Sequence, residues 1–155
     1  DRLDVADLQS EQLHEYRILP GPDFRPPADL HSRLVYHYRG EDRLDWEVLD
    51  AGREHRGGEN FILGNLKPGS LARLIIRTCN PSERVGRYGV KLNITVNDNR
   101  PLELPLSPMP WRYAEEILEI PAEYITGEQI RVSIAFEPTA VSPFYGSYHY
   151  WILQE

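Results

Sequence analysis

The chain has 155 residues, of which 41% are hydrophobic, 10% aromatic and 26% charged, a composition that excludes a disordered or fibrous protein and fits one globular domain better than two independent cores. Seventeen Lys and Arg against 24 Asp and Glu leave a net charge of −7, which disfavours a nucleic-acid backbone as partner, since that requires a basic face. Thirteen Pro and eleven Gly call for many turns and argue against a helical bundle, while the single Cys79 has no disulfide partner in the chain and no Cys/His cluster has zinc-ligand spacing.

The chain opens Asp1-Arg2-Leu3-Asp4, not a basic stretch followed by an apolar run, so no signal peptide is read. A start without Met is expected of an excised or processed chain. Residues 5–16 read either as a short amphipathic helix with Asp4 as its cap, or as a first strand followed by a loop. Four prolines in residues 20–27 then dictate an extended connector. Residues 1–30 therefore form an N-terminal strand or helix with a Pro-rich connector, and residues 31–155 the body of a single domain.

Within that body the period of the apolar residues is two. Leu34, Tyr36 and Tyr38 share one face, as do Leu44, Trp46 and Val48, so Trp46 is expected in the core. Residues 60–63 and 71–78 flank a turn at Lys67-Pro68-Gly69-Ser70, and residues 90–96 and 130–136 alternate without a fault. Residues 111–120 mix Ile117, Leu118 and Ile120 with Glu115, Glu116 and Glu119. In the closing strand, residues 147–153, His149 shares parity with Trp151 and Leu153, which places Trp151 in the core and His149 at its edge as a hydrogen-bonded structural residue. Turn residues at Gly57-Gly58, Asn80-Pro81-Ser82, Asn97-Asp98-Asn99 and Thr126-Gly127 separate these runs. Strands with one core face and one wet face belong to antiparallel sheets. About eight or nine of them at this spacing predict an all-β, antiparallel β-sandwich of the jelly-roll kind.

Reactive chemistry is sparse. There is no Gly-x-Ser-x-Gly elbow, no phosphate-binding glycine loop, no His-Glu-x-x-His helix and no His-x-His pair. Cys79 ends an apolar strand and reads as a buried, inert thiol. The acids at 115, 116 and 119 read as a solvated strand face, with Arg73 and Arg77 as their partners across the sheet. Asn93-Ile94-Thr95 matches a glycosylation triplet without further support.

The densest polar constellation is residues 50–60, read as a loop in which Arg53, His55, Arg56, Glu59 and Asn60 offer donors and acceptors together. A sugar hydroxyl both donates and accepts, so such a mixture suits a glycan. The competing reading is a solvated hairpin. An aromatic ring to cover the apolar face of a pyranose is expected from Trp111, at the entry to a strand, or from Tyr145 in a Pro-Phe-Tyr-Gly loop.

Residues 90–98, followed by Trp111-Arg112-Tyr113-Ala114-Glu115-Glu116, Ile120-Pro121-Ala122 and Ile125-Thr126-Gly127-Glu128-Gln129-Ile130-Arg131-Val132, resemble the second half of galactose-binding-domain-like jelly rolls. Asp98 stands where a turn glycine is usual, and Gln129 where Asn is common. The resemblance spans about residues 44–153. It implies a non-catalytic accessory domain, like a carbohydrate-binding module, attached to a larger extracytoplasmic enzyme and sometimes holding structural calcium. Asp4, Asp7, Glu11 and Asp50 are the oxygen donors in view for calcium; no cofactor or metal is assigned. The expected partner is a carbohydrate or a neighbouring protein domain, with no nucleic acid and no direct membrane insertion. Two alternatives stand beside this reading: a structural or protein-interaction module packing on a neighbouring domain, and an enzyme with an unrecognised site.

Overall fold

The faultless alternating runs become strands because each has a dry side and a wet side. The computed structural model describes residues 1–20, 50–79, 90–107, 113–137, 139 and 144–154, and the backbone alone of three strands between residues 31 and 49. In chain order the elements are β1 (Arg2–Asp4), α1 (Leu8–Leu13), β2 (Arg17–Leu19), β3 (Ser32–Val35), β4 (Tyr38–Arg39), β5 (Asp45–Trp46), β6 (Asp50–His55), β7 (Gly58–Leu63), β8 (Ala72–Cys79), β9 (Lys91–Val96), β10 (Leu102–Pro105), β11 (Tyr113–Ile120), β12 (Ile130–Phe136) and β13 (Tyr145–Leu153). The side chain of Trp46, expected in the core, lies outside the described residues.

Two antiparallel sheets face each other. The first runs β11-β8-β13-β6-β3, and the second β10-β9-β12-β7-β2; β4 and β5 pair separately. From β6 to β13 the chain crosses between sheets at every step except the β9–β10 hairpin. That is jelly-roll connectivity, so the all-β antiparallel sandwich read from the sequence is the fold that forms. One flank of β13 is shared: β6 pairs with residues 145–147, and β1 with residues 149–151.

The core lies between the sheets. Leu92, Ile94, Val132 and Ile134 have no exposed surface, and neither do Leu3, Val5, Phe61, Leu63, Leu74 and Ile76. At about 1.5–3 kcal/mol per buried aliphatic or aromatic side chain, this layer is the main force holding the sheets together.

The N-terminal region realises both of its readings, a strand (β1) and a six-residue helix (α1). The cap is Asp7, however, not Asp4: the Asp7 carboxylate accepts the Gln9 and Ser10 N–H groups at 2.9 Å each. Asp4 is instead the last residue of β1.

Residues 50–60 also differ from expectation. They form β6, a two-residue turn at Arg56 and Gly57, and the start of β7, not an open loop. Gly58 makes this possible: its φ is +148°, and a Cβ there would lie 1.9 Å from the Ile134 carbonyl oxygen, so only glycine lets β7 approach β12 so closely.

Candidate functional site

The β6–β7 segment distributes its polar residues to three places. His55 and Glu59 point between the sheets and are fully buried, joined by Tyr145, which pairs with His55 across β6 and β13. Glu59 Oε1 accepts from Tyr145 (2.6 Å) and Tyr150, and Oε2 from Tyr16 (2.7 Å) and Ser147 (3.1 Å). His55 Nε2 lies 2.8 Å from Ser147 Oγ and 3.3 Å from Glu59 Oε2. A carboxylate has about four acceptor positions, and four hydroxyls fill them.

This cluster is inert toward a substrate. Burial, reinforced by the Glu59 charge, pushes the hydroxyls of Tyr16, Tyr145 and Tyr150 well above their ordinary value. Burial likewise holds His55 below its ordinary value, against the opposing pull of Glu59. The tyrosines remain hydrogen-bond donors, and Glu59 keeps no lone pair or exposed edge with which to act as base or nucleophile. Tyr16, Ser147 and Tyr150 had no sequence signal, because their common partner lies 43, 88 and 91 residues away.

Arg53 is half-buried and clamps Glu11 of α1 with two bonds, 2.5 Å from Nε and 2.7 Å from the terminal nitrogen. Arg56 is exposed at the turn. Trp111 lies outside the described residues. Asn60 alone of the hairpin residues expected to bind points out from the second sheet.

On that outward face the register sets Arg17, Asn60, Ser133 and Thr95 in one line across β2, β7, β12 and β9. The next line holds Leu19, Gly58, Ala135, Asn93 and Glu103. Gly58 and Ala135 add almost no side chain to the second line, and Gly58 is itself buried where β7 closes on β12. Asn60, Asn93, Thr95 and Ser133 are each partly exposed. Among the described residues, none of the four makes a side-chain hydrogen bond, and Asn60 Oδ1 is buried without a partner.

The outward face of the first sheet has the opposite character. A register shift between Ser147 and His149 bulges β13 and turns Tyr148, His149 and Trp151 all outward. Trp151 is therefore half-buried on the outer surface, not in the core as its parity suggested. Its ring stacks on His149 at 5.1 Å and 11°, and the Arg77 guanidinium lies 5.1 Å from its centroid. Arg77 also binds Glu115 (2.8 Å) and Asp50 (3.1 Å), the partnership across the sheet read from the sequence. Arg73 faces Glu119 at 3.9 Å.

Two of the proposed calcium donors meet here. Asp4, Asp50 and His149 bring donor atoms within 4.8 Å of one another. They do not suit calcium, which takes six to eight oxygen ligands: the imidazole spans the two carboxylates at 3.2 and 3.0 Å, and Arg77 adds a positive charge to Asp50. Burial raises the Asp50 pKa, but hydrogen bonds and charge from His149 and Arg77 outweigh it and hold the carboxyl below its ordinary value. Of the other two donors, Asp7 caps α1 and Glu11 is bound by Arg53.

No protein-family profile matches the chain, and no curated protein matches it. Among solved structures the chain is similar to the EclA C-terminal domain, a sugar-binding protein, at 16% identity and a TM-score of 0.45 over 76% of this chain and 89% of that one. It is similar to the CBM35 from Paenibacillus barcinonensis at 11% identity and a TM-score of 0.43, covering 83% and 96% of the two chains. A family 35 carbohydrate binding module from Clostridium thermocellum gives 12% identity and 0.39, covering 78% and 88%. Each is a likeness, at identities too low for side-chain roles to pass between the chains.

Proposed function

We propose that this domain is a non-catalytic accessory module that binds a neutral glycan across the outward face of its second sheet. The observation that carries this reading is the group of four neutral side chains, Asn60, Asn93, Thr95 and Ser133, standing together without partners, with Asn60 Oδ1 buried and unsatisfied. Amides and hydroxyls both donate and accept, as sugar hydroxyls do. Ala135, which is exposed, and the partly exposed Leu19 supply apolar surface beside these polar groups for the apolar face of a pyranose.

In this reading Asn60 contacts the sugar, Arg56 reaches it from the adjoining turn, and Trp111 and Tyr145 divide the roles expected of them. Trp111 keeps the stacking role read for it from the sequence. Tyr145, with Arg53, His55 and Glu59, acts indirectly by fixing the hairpin that carries Asn60.

The test is calorimetric titration of the chain with a panel of neutral and uronic-acid oligosaccharides. Neutral sugars are expected to bind, with little dependence on salt. Asn60→Ala and Ser133→Val are each expected to weaken binding by about tenfold, the effect of losing one or two hydrogen bonds, with an unchanged melting temperature. Absence of binding to every sugar at millimolar concentration, or variants that bind as tightly as the parent, rejects the reading.

A further inference from the structure

The outward face of the first sheet is arranged in columns. On β11, Glu115, Ile117 and Glu119 point outward; on the adjacent β8, Arg77, Ile75 and Arg73 stand directly opposite them, residue for residue. An acid–isoleucine–acid column therefore lies beside a base–isoleucine–base column. Next to these, Trp151 pairs with Ile75, and Leu153 with Arg73. Ile117 is 59% exposed and Ile75 and Trp151 partly so, so an apolar row of these three lies between the Glu115–Arg77 row and the Glu119–Arg73 row, which Leu153, 53% exposed, extends.

We infer that this face is a self-association surface whose occupant is a second copy of the same chain. A two-fold axis parallel to the strands and midway between β8 and β11 lays the β11 of one copy over the β8 of the other. Glu119 then meets the partner's Arg73, Glu115 meets the partner's Arg77, and Ile117 meets the partner's Ile75, each contact occurring twice. A surface that is its own complement under one rotation is what an isologous dimer requires. The charge pattern selects a copy of this chain, because each column finds its opposite on the same molecule. Arg73 and Glu119 stand 3.9 Å apart at the solvent-facing edge of the sheet, where each is within reach of a second copy.

The patch is small. The two strands that overlap under this rotation, about 4.8 Å apart with five residues at about 3.3 Å each, cover at most a few hundred Å², well under the roughly 800 Å² per partner of a stable interface. The dimer is accordingly weak. It does not depend on glycan binding, which uses the opposite face, so either proposal can fail without the other.

Sedimentation velocity of the chain from about 10 µM to 1 mM tests this. The expected result is a concentration-dependent shift from monomer to dimer that weakens in high salt and is abolished in Ile117→Asp. Arg73→Glu alone and Glu119→Arg alone are each expected to stay monomeric, since both place like charges opposite each other twice. Mixing these two variants is expected to restore dimers, because each then supplies the charge that the other lacks. A purely structural role within one chain would not produce that rescue. A chain that is monomeric at 1 mM, or dimers indifferent to all three substitutions, overturns the proposal.

Discussion

Glu59 sits between the sheets with four hydroxyls on its two oxygens, and its burial is tolerable only because that set is complete. A single hydrogen bond to a charged group contributes roughly 1.5–3 kcal/mol, so losing one hydroxyl costs about that much, and exchanging the carboxylate disturbs all four bonds at once. Glu59→Gln is therefore expected to lower stability by about 3 kcal/mol and Tyr145→Phe by about 2, read as shifts in the urea midpoint at constant slope. A Glu59→Gln protein as stable as the parent would mean that the hydroxyls do not need the charge. His55 adds a pH dependence whose sign follows from its burial. Its folded pKa is held below the ordinary value near 6.5, so the unfolded chain takes up a proton that the folded one refuses. Stability is expected to fall as pH drops below about 6.5, by at most about 1.4 kcal/mol per pH unit for one proton, and His55→Gln is expected to flatten that slope. Asp50 acts lower on the scale. Despite the upward push of its burial, hydrogen bonds from His149 and Arg77 hold its folded pKa below the ordinary carboxylate value, so its contribution is present above about pH 4 and lost on further acidification. Melting curves recorded from pH 8 to 3 on the parent, His55→Gln and Asp50→Asn separate the two windows.

At the scale of elements, the two-residue turn between β6 and β7 decides which polar residues go inside. Gly58→Ala must both enter a backbone region that L residues avoid and push a methyl group against the Ile134 carbonyl, so a loss of about 3 kcal/mol or more is expected. Gly69 has a φ of +70° but nothing within 4 Å of its would-be Cβ, so Gly69→Ala is expected to cost only about 1 kcal/mol. Equal melting temperatures for the two variants would show that the contact with β12 is not what fixes the turn. The same elements show what the sequence makes legible. Runs such as β9 and β12 announce themselves because hydrocarbon burial on one face writes period two directly into the residues. β6 does not, since its inward residues Arg53 and His55 meet Glu11, Ser147 and Glu59 instead of hydrocarbon, and polar inward residues look like a loop. The bulge in β13 defeats parity in another way: one extra residue turns both Tyr148 and His149 outward, so Trp151 leaves the core that its spacing implied. Pairings such as Glu59 with Tyr150, 91 residues apart, leave no local trace.

On the scale of the whole molecule, the first sixteen residues are a clamp on the sandwich and not an appendage. β1 pairs with the half of β13 that β6 leaves uncovered, Leu3 and Val5 are fully buried in the common core, and the Asp1 carboxylate accepts the Gly64 N–H at 2.6 Å. Arg53 holds α1 through Glu11, and Tyr16 completes the Glu59 set. Two buried aliphatic side chains contribute about 3–6 kcal/mol, and a vacated acceptor position on a buried carboxylate costs a few more. That total rivals the 5–15 kcal/mol by which a domain is normally stable. Removal of residues 1–16 is therefore expected to leave a chain that is largely unfolded at room temperature, seen as loss of near-ultraviolet dichroism and of a cooperative urea transition. Supplying the peptide of residues 1–16 in trans is expected to restore folding in a concentration-dependent way, because its binding energy is then coupled to the folding equilibrium, whereas the same peptide carrying Leu3→Asp is not. If the shortened chain melted within a few degrees of the parent, the segment would be a covering strand of little consequence, and the two sheets would have to be held by their facing hydrocarbon alone.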